Sequence, residues 1–579
     1  MKPALKISQS LIDKLSRIND PTYAKLYGVF FNNTTILLAV QVATKRDNTL
    51  NFCLPTDFDL YGLVNINNGE INQNEVIKKL QNDIDITDNP IFLSCQNGDS
   101  NKITSYVLIN EVLQNRPFTI ITEHEIYEHL MYVRLTGTFS LRCNAEISSF
   151  EEAILELKNA ATSGKLAFNI PNTPIYLLGN ESYGNATNSN GEIIIDDICK
   201  NCNDDWGKKN ENYNLPHIID MVIMKKVSKD NTGVGNKNQH APICFVTKKL
   251  KKAAFIPVKI DVLSLISKQT NLSKLYAILV ESISKYLNAY HFTLSKYQTK
   301  KETLLLPECF HFYPMNCWHF ISVWMPKGVD QNEFELNRRT LHEQFLLPMN
   351  RPLFKKENRF LFHHSLSEGG LLFNPHETLR KTNNEGKIAL VKGKYYYYHY
   401  NQNNMNDNGW GCAYRSLQTL ASWFKLQGYV DREVPTFEEI QKCLVDIGDK
   451  PTSFIGSKQW IGSMEVNFVL NTLLNVTCRI INVSNGPEMA YEGPQLVRHF
   501  EEYGTPIMIG GGDLAHTILG VDYNESTGNI KFLILDPHYV GPEDLHIIQN
   551  KGWCGWKGLE FWNKTSYYNM CVPLTPSGV

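Results

Sequence analysis

The chain has 579 residues, more than one hydrophobic core usually supports, so two or three domains are expected. Its 42% hydrophobic and 20% charged residues are the balance of an ordinary globular protein. With 57 Lys and Arg against 59 Asp and Glu, no global field draws in nucleic acid or an acidic surface, which sets that class of partner aside.

The N-terminus, "MKPALKISQSLIDKLSRIND", is charged throughout and lacks an apolar core of signal-peptide length. No stretch approaches the roughly 20 apolar residues of a membrane span. The 13 cysteines are odd in number, scattered and mostly set in apolar runs such as "NFCLP" and "NVTCRIINV", which suits a reducing compartment. The expectation is a cytoplasmic protein with no direct membrane span.

From about 23 to 180, short β-rich runs alternate with turn signals: "YGVFFNNTTILLAVQVAT", "NPIFLSCQNGDS" and "TSYVLINEVL". Asn32-Asn33 between two apolar strands predicts a hairpin. "SFEEAILELKNAATSG" (149–164) predicts an amphipathic helix capped by serine and closed by glycine. Asn-rich tracts near 179–214 and 225–241 are too poor in apolar residues to pack and are expected as mobile insertions. Residues 259–350 carry helix-like segments, including "LSKLYAILVESISKYLNAY". The expected division is an N-terminal β-rich α+β region over 1–375, serving partner or substrate recruitment, a linker over 376–387, and a catalytic domain over 388–579.

Four features of the front half carry no function. Cys199 and Cys202 have CxxC spacing, but no second pair follows at zinc-finger distance. In "HEIYEH", His124 and His129 are five apart, which on a helix puts them on different faces. His363 and His364 are adjacent and point apart, and "KKLKKAA" (248–254) is a short solvated basic face. No metal or cofactor is expected.

"DNGWGCAYRSLQTLASWF" (407–424) is different. Ala413, Leu417, Leu420, Ala421 and Phe424 recur at spacings of three and four, the buried stripe of a helix. Asp407 and Asn408 offer capping side chains ahead of it, and Gly409 and Gly411 allow a tight turn. Cys412 therefore falls at the first helical turn, where free N–H groups and the helix dipole favour a thiolate and are able to hold an oxyanion. A nucleophilic cysteine needs a base and a group to orient it. "TPIMIGGGDLAHTILGVDYNESTGNIKFLILDPHYVG" (505–541) predicts three strands, the last closed by Asp536 and His538 at i, i+2, with both side chains on one face. A carboxylate beside an imidazole is the orienter and base of a triad. His516, at the start of the neighbouring strand, competes for the base role, and spacing does not choose between them.

Together, "YHYNQNNMNDNGWGCAYRSLQT", "IGSKQWIGSMEV", "GGGDLAHTILGVDY" and "LDPHY" closely resemble the cysteine proteases specific for the ubiquitin-fold modifier, and the long front region resembles the two-domain branch of that family. The resemblance implies an α+β, papain-like fold with Cys412 as nucleophile, His538 as base, Asp536 as its orienter and Tyr400 as oxyanion donor. His516 then lies near the nucleophile without being the base. The implied reaction is cleavage after the modifier's C-terminal glycine, which both matures the precursor and releases lysine conjugates as an isopeptidase. The family's modifier ends in Val-Gly, so the channel must admit a thin tail. Trp410, Gln459, Trp460, Gly511 and His516 are the candidate substrate contacts. For the longer branch, the resemblance also implies an adaptor at the endoplasmic-reticulum membrane. Two rival readings are an autophagy-type protease, which shares the "GWGC" and "DPH" boxes, and a non-catalytic scaffold working through the front region.

Overall fold

The computed structural model describes residues 3–578, leaving out 19, 21, 43–51, 67–71, 85–88, 97–102, 144–146, 165, 172, 174, 179–180, 184–193, 202–216, 226–253, 299–304, 315–316, 329, 331, 363–369, 381 and 383. They form two compact units, Met1–Leu347 and Pro348–Val579.

The first unit holds an eight-stranded, a six-stranded and a three-stranded sheet. In the largest, Thr22–Phe31 and Thr34–Val42 form the hairpin expected from Asn32-Asn33. Both asparagines have positive φ (46° and 55°), as a two-residue turn matched to strand twist requires. In the second sheet, Leu130–Cys143 and Ala254–Ser267 pair antiparallel from Leu130↔Ser267 to Cys143↔Ala254 without a register break. Leu272–Gln298 is one long helix whose Leu275, Leu279, Ile283, Leu287 and Leu294 are buried against that sheet.

Three expectations for this region change. The helix expected at 149–164 runs Ile147–Thr162, so Ser149 lies inside its first turns rather than capping it. Within the first Asn-rich tract, Glu181–Tyr183 is a strand and Ile195–Asn201 a helix, so that tract is not structureless throughout. Of the second, Lys225 ends the strand Ile218–Lys225 and the remainder lies outside the described residues, as do Cys202, His363, His364 and 248–253.

The second unit is built on a seven-stranded antiparallel sheet. Its strands run in the order Cys478–Val483, Tyr568–Pro573, Ile507–Gly511, Leu514–Tyr523, Ile530–Leu535 and Cys554–Lys557, and Lys387–Leu390 also pairs with Leu514–Tyr523. The three strands expected over 505–535 are all present. The stretch expected as a linker is instead tied to this sheet: Thr382 Oγ1 donates to Asp522 Oδ2 at 2.7 Å, and Gln549 Nε2 donates to Thr378 Oγ1 at 2.6 Å. Thr378 and Thr382 bond the domain, while Glu377, Arg380, Glu385 and Lys387 remain exposed.

Helix Cys412–Leu426 is buried on every side rather than along one stripe, with only Lys425 outside the core. That placement strands polar side chains, and each one finds a partner, as burial demands. Ser416 Oγ lies 2.7 Å from Thr517 Oγ1 on the sheet. Gln418 Nε2 donates to Pro435 O at 2.9 Å. Thr419 Oγ1 accepts from Tyr398 N at 3.2 Å, and Ser422 Oγ accepts from Tyr396 N at 2.9 Å. The helix is thereby locked in rotation and translation, and its first residue with it.

Candidate active site

Cys412 opens this helix, and the turn before it is set by close approach. Gly411 passes so near Asp407 that a Cβ there would lie 2.6 Å from the Asp407 Cβ, while Gly409 takes φ of +85°. Asp407 does not cap the helix, whose start has no side-chain cap. Its carboxylate instead accepts from Asn401 N at 2.7 Å and from Arg415 Nε at 2.7 Å, and its carbonyl accepts from Gly411 N at 2.8 Å. The cysteine turn is therefore closed by a buried ion pair.

Burial alone would raise the Cys412 thiol pKa, yet the His538 side chain, its charge, the Ala515 backbone amide and the Tyr400 hydroxyl together pull it below the ordinary value. Other described cysteines move the other way: burial raises Cys443 and Cys554. Cys412 is the thiol poised to ionise.

The last strand ends at Leu535, so Asp536 and His538 do not share a face by strand alternation. A turn brings them together: His538 N donates to Asp536 Oδ1 at 3.0 Å, and His538 Nδ1 lies 2.5 Å from that same oxygen. Desolvation opposes a charged imidazole, but Asp536 and Cys412 overcome it and lift His538 to about 9. Burial likewise opposes a charged Asp536, and His538 outweighs it, holding the carboxyl below its usual range. The buried His538 Nε2 makes no well-aligned hydrogen bond, although it is close enough to Cys412 for each to shift the other. An imidazolium beside a thiolate, anchored by a carboxylate, is able to pass a proton to a leaving amine.

His516 is also near, with Nε2 3.8 Å from Asp536 Oδ2, too long for a hydrogen bond. Burial, against the pull of Asp536, lowers its pKa to about 4, so it is neutral and lies beside the pair rather than within it. Among the described residues, His516, Asp536 and His538 are the one group with metal-ligand spacing, and two of their ligand atoms already bond each other.

Tyr400 is 3% exposed, and its ring meets that of His538 edge-on at 5.3 Å. Burial first, then the Cys412 charge and hydroxyl–thiol contact, raise its pKa, so the phenol keeps its proton beside the sulfur. Its backbone N donates to Pro537 O at 3.0 Å.

The candidate substrate contacts divide. Trp410 is core: 7% exposed, edge-on to Tyr414 at 5.5 Å and Phe437 at 5.4 Å. Trp460 is 53% exposed and donates its indole N–H to Gly409 O at 3.3 Å, just ahead of the nucleophile. Gln459 is exposed, its carbonyl accepting from Tyr414. Gly511 stands where a Cβ would strike Tyr568 Cδ1 at 2.3 Å, so close strand packing requires this glycine.

Reading the sequence alone misses Arg415, Tyr397, His399, Gln402 and Glu543, which hold the site from behind. Tyr397 donates its hydroxyl to Asp536 O, and Glu543 receives His399 and Gln402. Only Arg415 left a signal, as a charge one turn after the cysteine, among the apolar positions of its helix.

A thiol at a central helix N-terminus, facing a histidine and an aspartate carried by an antiparallel sheet, is the arrangement of a papain-like thiol peptidase. Residues 386–571 match peptidase family C78, residues 1–126 match the insect UFM1-specific protease N-terminal MPN-like domain, and residues 151–367 match the N-terminal region of ubiquitin-fold modifier 1 specific protease 2. "Probable Ufm1-specific protease 2" of Drosophila melanogaster is 38% identical over 612 residues, covering 100% of both chains. Ufm1-specific protease 2 of Gallus gallus is 42% identical, over 73% of this chain and 93% of its own. The crystal structure of UfSP from C. elegans superposes with a TM-score of 0.66 at 24% identity over the whole of both chains, which shows the fold. The chain belongs to the Ufm1-specific protease 2 family and is a cysteine protease. Membership decides against the autophagy-type reading and against an idle scaffold.

Proposed function

We propose that Cys412 attacks the carbonyl of the C-terminal glycine of the ubiquitin-fold modifier. His538 gives its proton to the departing amine, Asp536 keeps the imidazole oriented, and Tyr400 donates to the developing oxyanion. The sulfur–carbon bond forms first, giving a tetrahedral oxyanion, and its collapse breaks the carbon–nitrogen bond as the amine takes the proton. Water then hydrolyses the thioester, returning its proton through His538. The leaving amine is a peptide extension in the precursor and a lysine side chain in a conjugate. One site therefore serves maturation and deconjugation. The observation that carries this reading is geometric: Cys412 opens its helix beside His538, which Asp536 holds at 2.5 Å and the Tyr400 ring meets edge-on at 5.3 Å.

We further propose that the chain acts in the cytoplasm, associated with the cytosolic face of the endoplasmic reticulum through a membrane adaptor. Free thiols at Cys412, Cys443, Cys478, Cys554 and Cys571 support a reducing compartment.

The test is a set of covalent probes, each a modifier bearing an electrophile at its C-terminal glycine. An adduct with the ubiquitin-fold modifier, absent with ubiquitin or an autophagy modifier and lost in Cys412→Ser, is expected. Labelling that survives Cys412→Ser would remove Cys412 as the nucleophile.

A further inference from the structure

We propose that Glu543 is a positioning residue for the oxyanion donor, holding Tyr400 in place without touching substrate. The proposal rests on the roles given above to Cys412, His538 and Tyr400.

Two segments far apart in sequence meet behind the reacting atoms. One carries Tyr397, His399, Tyr400 and Gln402; the other carries Asp536, His538 and Glu543. Their near end is joined by Tyr397 to Asp536 O and by Tyr400 N to Pro537 O. Their far end is joined by hydrogen bonds to Glu543 Oε1, which accepts from Gln402 Nε2 at 2.5 Å and lies 2.9 Å from His399 Nε2, and by the edge-on packing of His399 against Tyr539 at 4.9 Å.

His399 makes the carboxylate specific. It is 1% exposed, and its Nδ1 lies 3.0 Å from the Tyr400 carbonyl oxygen. Both ring nitrogens thus face oxygen atoms, which fixes the plane of the ring. Glu543 thus reaches the Tyr400 backbone through a buried ring held at both nitrogens. The chain of contacts runs from Glu543 through the His399 ring to the Tyr400 backbone, and in parallel through Gln402 to the turn that follows.

Losing the carboxylate removes the anchor on the far side of the His399 ring and one of the bonds of the Gln402 amide, which keeps His399 N and Tyr397 O, so the Tyr400 hydroxyl is held less tightly at its distance from Cys412. His538 keeps both of its bonds to Asp536. The effect is therefore weighted: oxyanion stabilisation falls, while the thiolate loses only the Tyr400 contribution and keeps the larger one from His538.

The experiment uses the full chain and the modifier carrying a fluorogenic amine on its C-terminal glycine. Glu543→Ala is expected to lower kcat by about tenfold to a hundredfold, the scale of a displaced oxyanion donor, with KM little changed. Alkylation of Cys412 by iodoacetamide, which develops no oxyanion, should fall far less than kcat. Glu543→Gln, which keeps one acceptor oxygen for the two donors but not the charge, should recover part of kcat. In a Tyr400→Phe background, Glu543→Ala should cost almost nothing further. Gln402→Ala, expected to show the same kcat-only loss, carries the test should Glu543→Ala not fold. A matching loss of alkylation would overturn the proposal, because the residue would then be holding His538. A full additional loss in the Tyr400→Phe background would overturn it as well. If Tyr400→Phe alone leaves kcat unchanged, the oxyanion role itself fails; if only Glu543→Ala is silent, the positioning role fails and the site reading stands.

Discussion

Arg415 Nε donates to Asp407 Oδ2 at 2.7 Å with both side chains almost fully buried, 1% and 0% exposed. The guanidinium also donates to Gln402 O at 2.9 Å and to Gln418 Oε1 at 3.1 Å. Removing one partner of such a pair leaves a buried charge unmatched, which costs about 3–5 kcal/mol. Arg415→Met should lower the denaturation midpoint of the second unit in urea and slow probe labelling at Cys412, because the same carboxylate holds the turn before the thiol. An unchanged midpoint would mean that the pair contributes nothing net.

The two pKa shifts at the site separate two pH profiles. The thiolate is present at every pH above the lowered Cys412 value, so alkylation should rise through that value and then stay level. Hydrolysis also needs the imidazolium to protonate the leaving amine, so turnover should fall as pH rises through about 9. A raised folded-state pKa also means that the stability contributed by charged His538 is complete below its unfolded value and lost as pH passes about 9. Asp536→Asn removes the partner that lifts His538, so the alkaline limb of turnover should move to lower pH. An unmoved limb would assign it to another group.

The two histidines beside Asp536 should respond differently. His538→Ala is expected to reduce turnover by about 10²–10⁴, the range for a lost general acid–base. His516 is neutral and does not reach hydrogen-bond distance, so His516→Gln should leave Cys412 alkylation within a few-fold of wild type. The reverse order would exchange their roles.

The two tryptophans beside the nucleophile should also separate. Trp410→Ala empties a site packed by Tyr414 and Phe437, so it should cost about 3–5 kcal/mol of stability, read by denaturation. Trp460 is half exposed beside Gly409, and Trp460→Ala should raise KM for the modifier while leaving the urea midpoint and Cys412 alkylation unchanged. A fall in midpoint instead would make Trp460 a packing residue.

What sequence alone determined here is what acts over a few residues. Helical spacing after Cys412, the Asn32-Asn33 turn and the three strands over 505–535 follow from local periodicity and turn chemistry, and each stands where expected. So does the nearness of Asp536 to His538, although a turn rather than strand alternation delivers it. Tertiary structure decided the rest. Asp407 reads as a helix cap until the chain folds and Arg415 takes its carboxylate, since an ion pair in the interior outcompetes a solvated cap. The nucleophile helix reads as amphipathic because its polar face lists residues that usually meet water; the sheet and the tyrosine segment bury that face by bonding each residue. His516 and His538 are equivalent by spacing, and only their depth and their distances to Asp536 set one neutral and one charged. Glu543 lies far along the chain from Tyr400, and no local pattern links them. Contacts at such separation are fixed by which strand neighbours which, a property of the folded core as a whole.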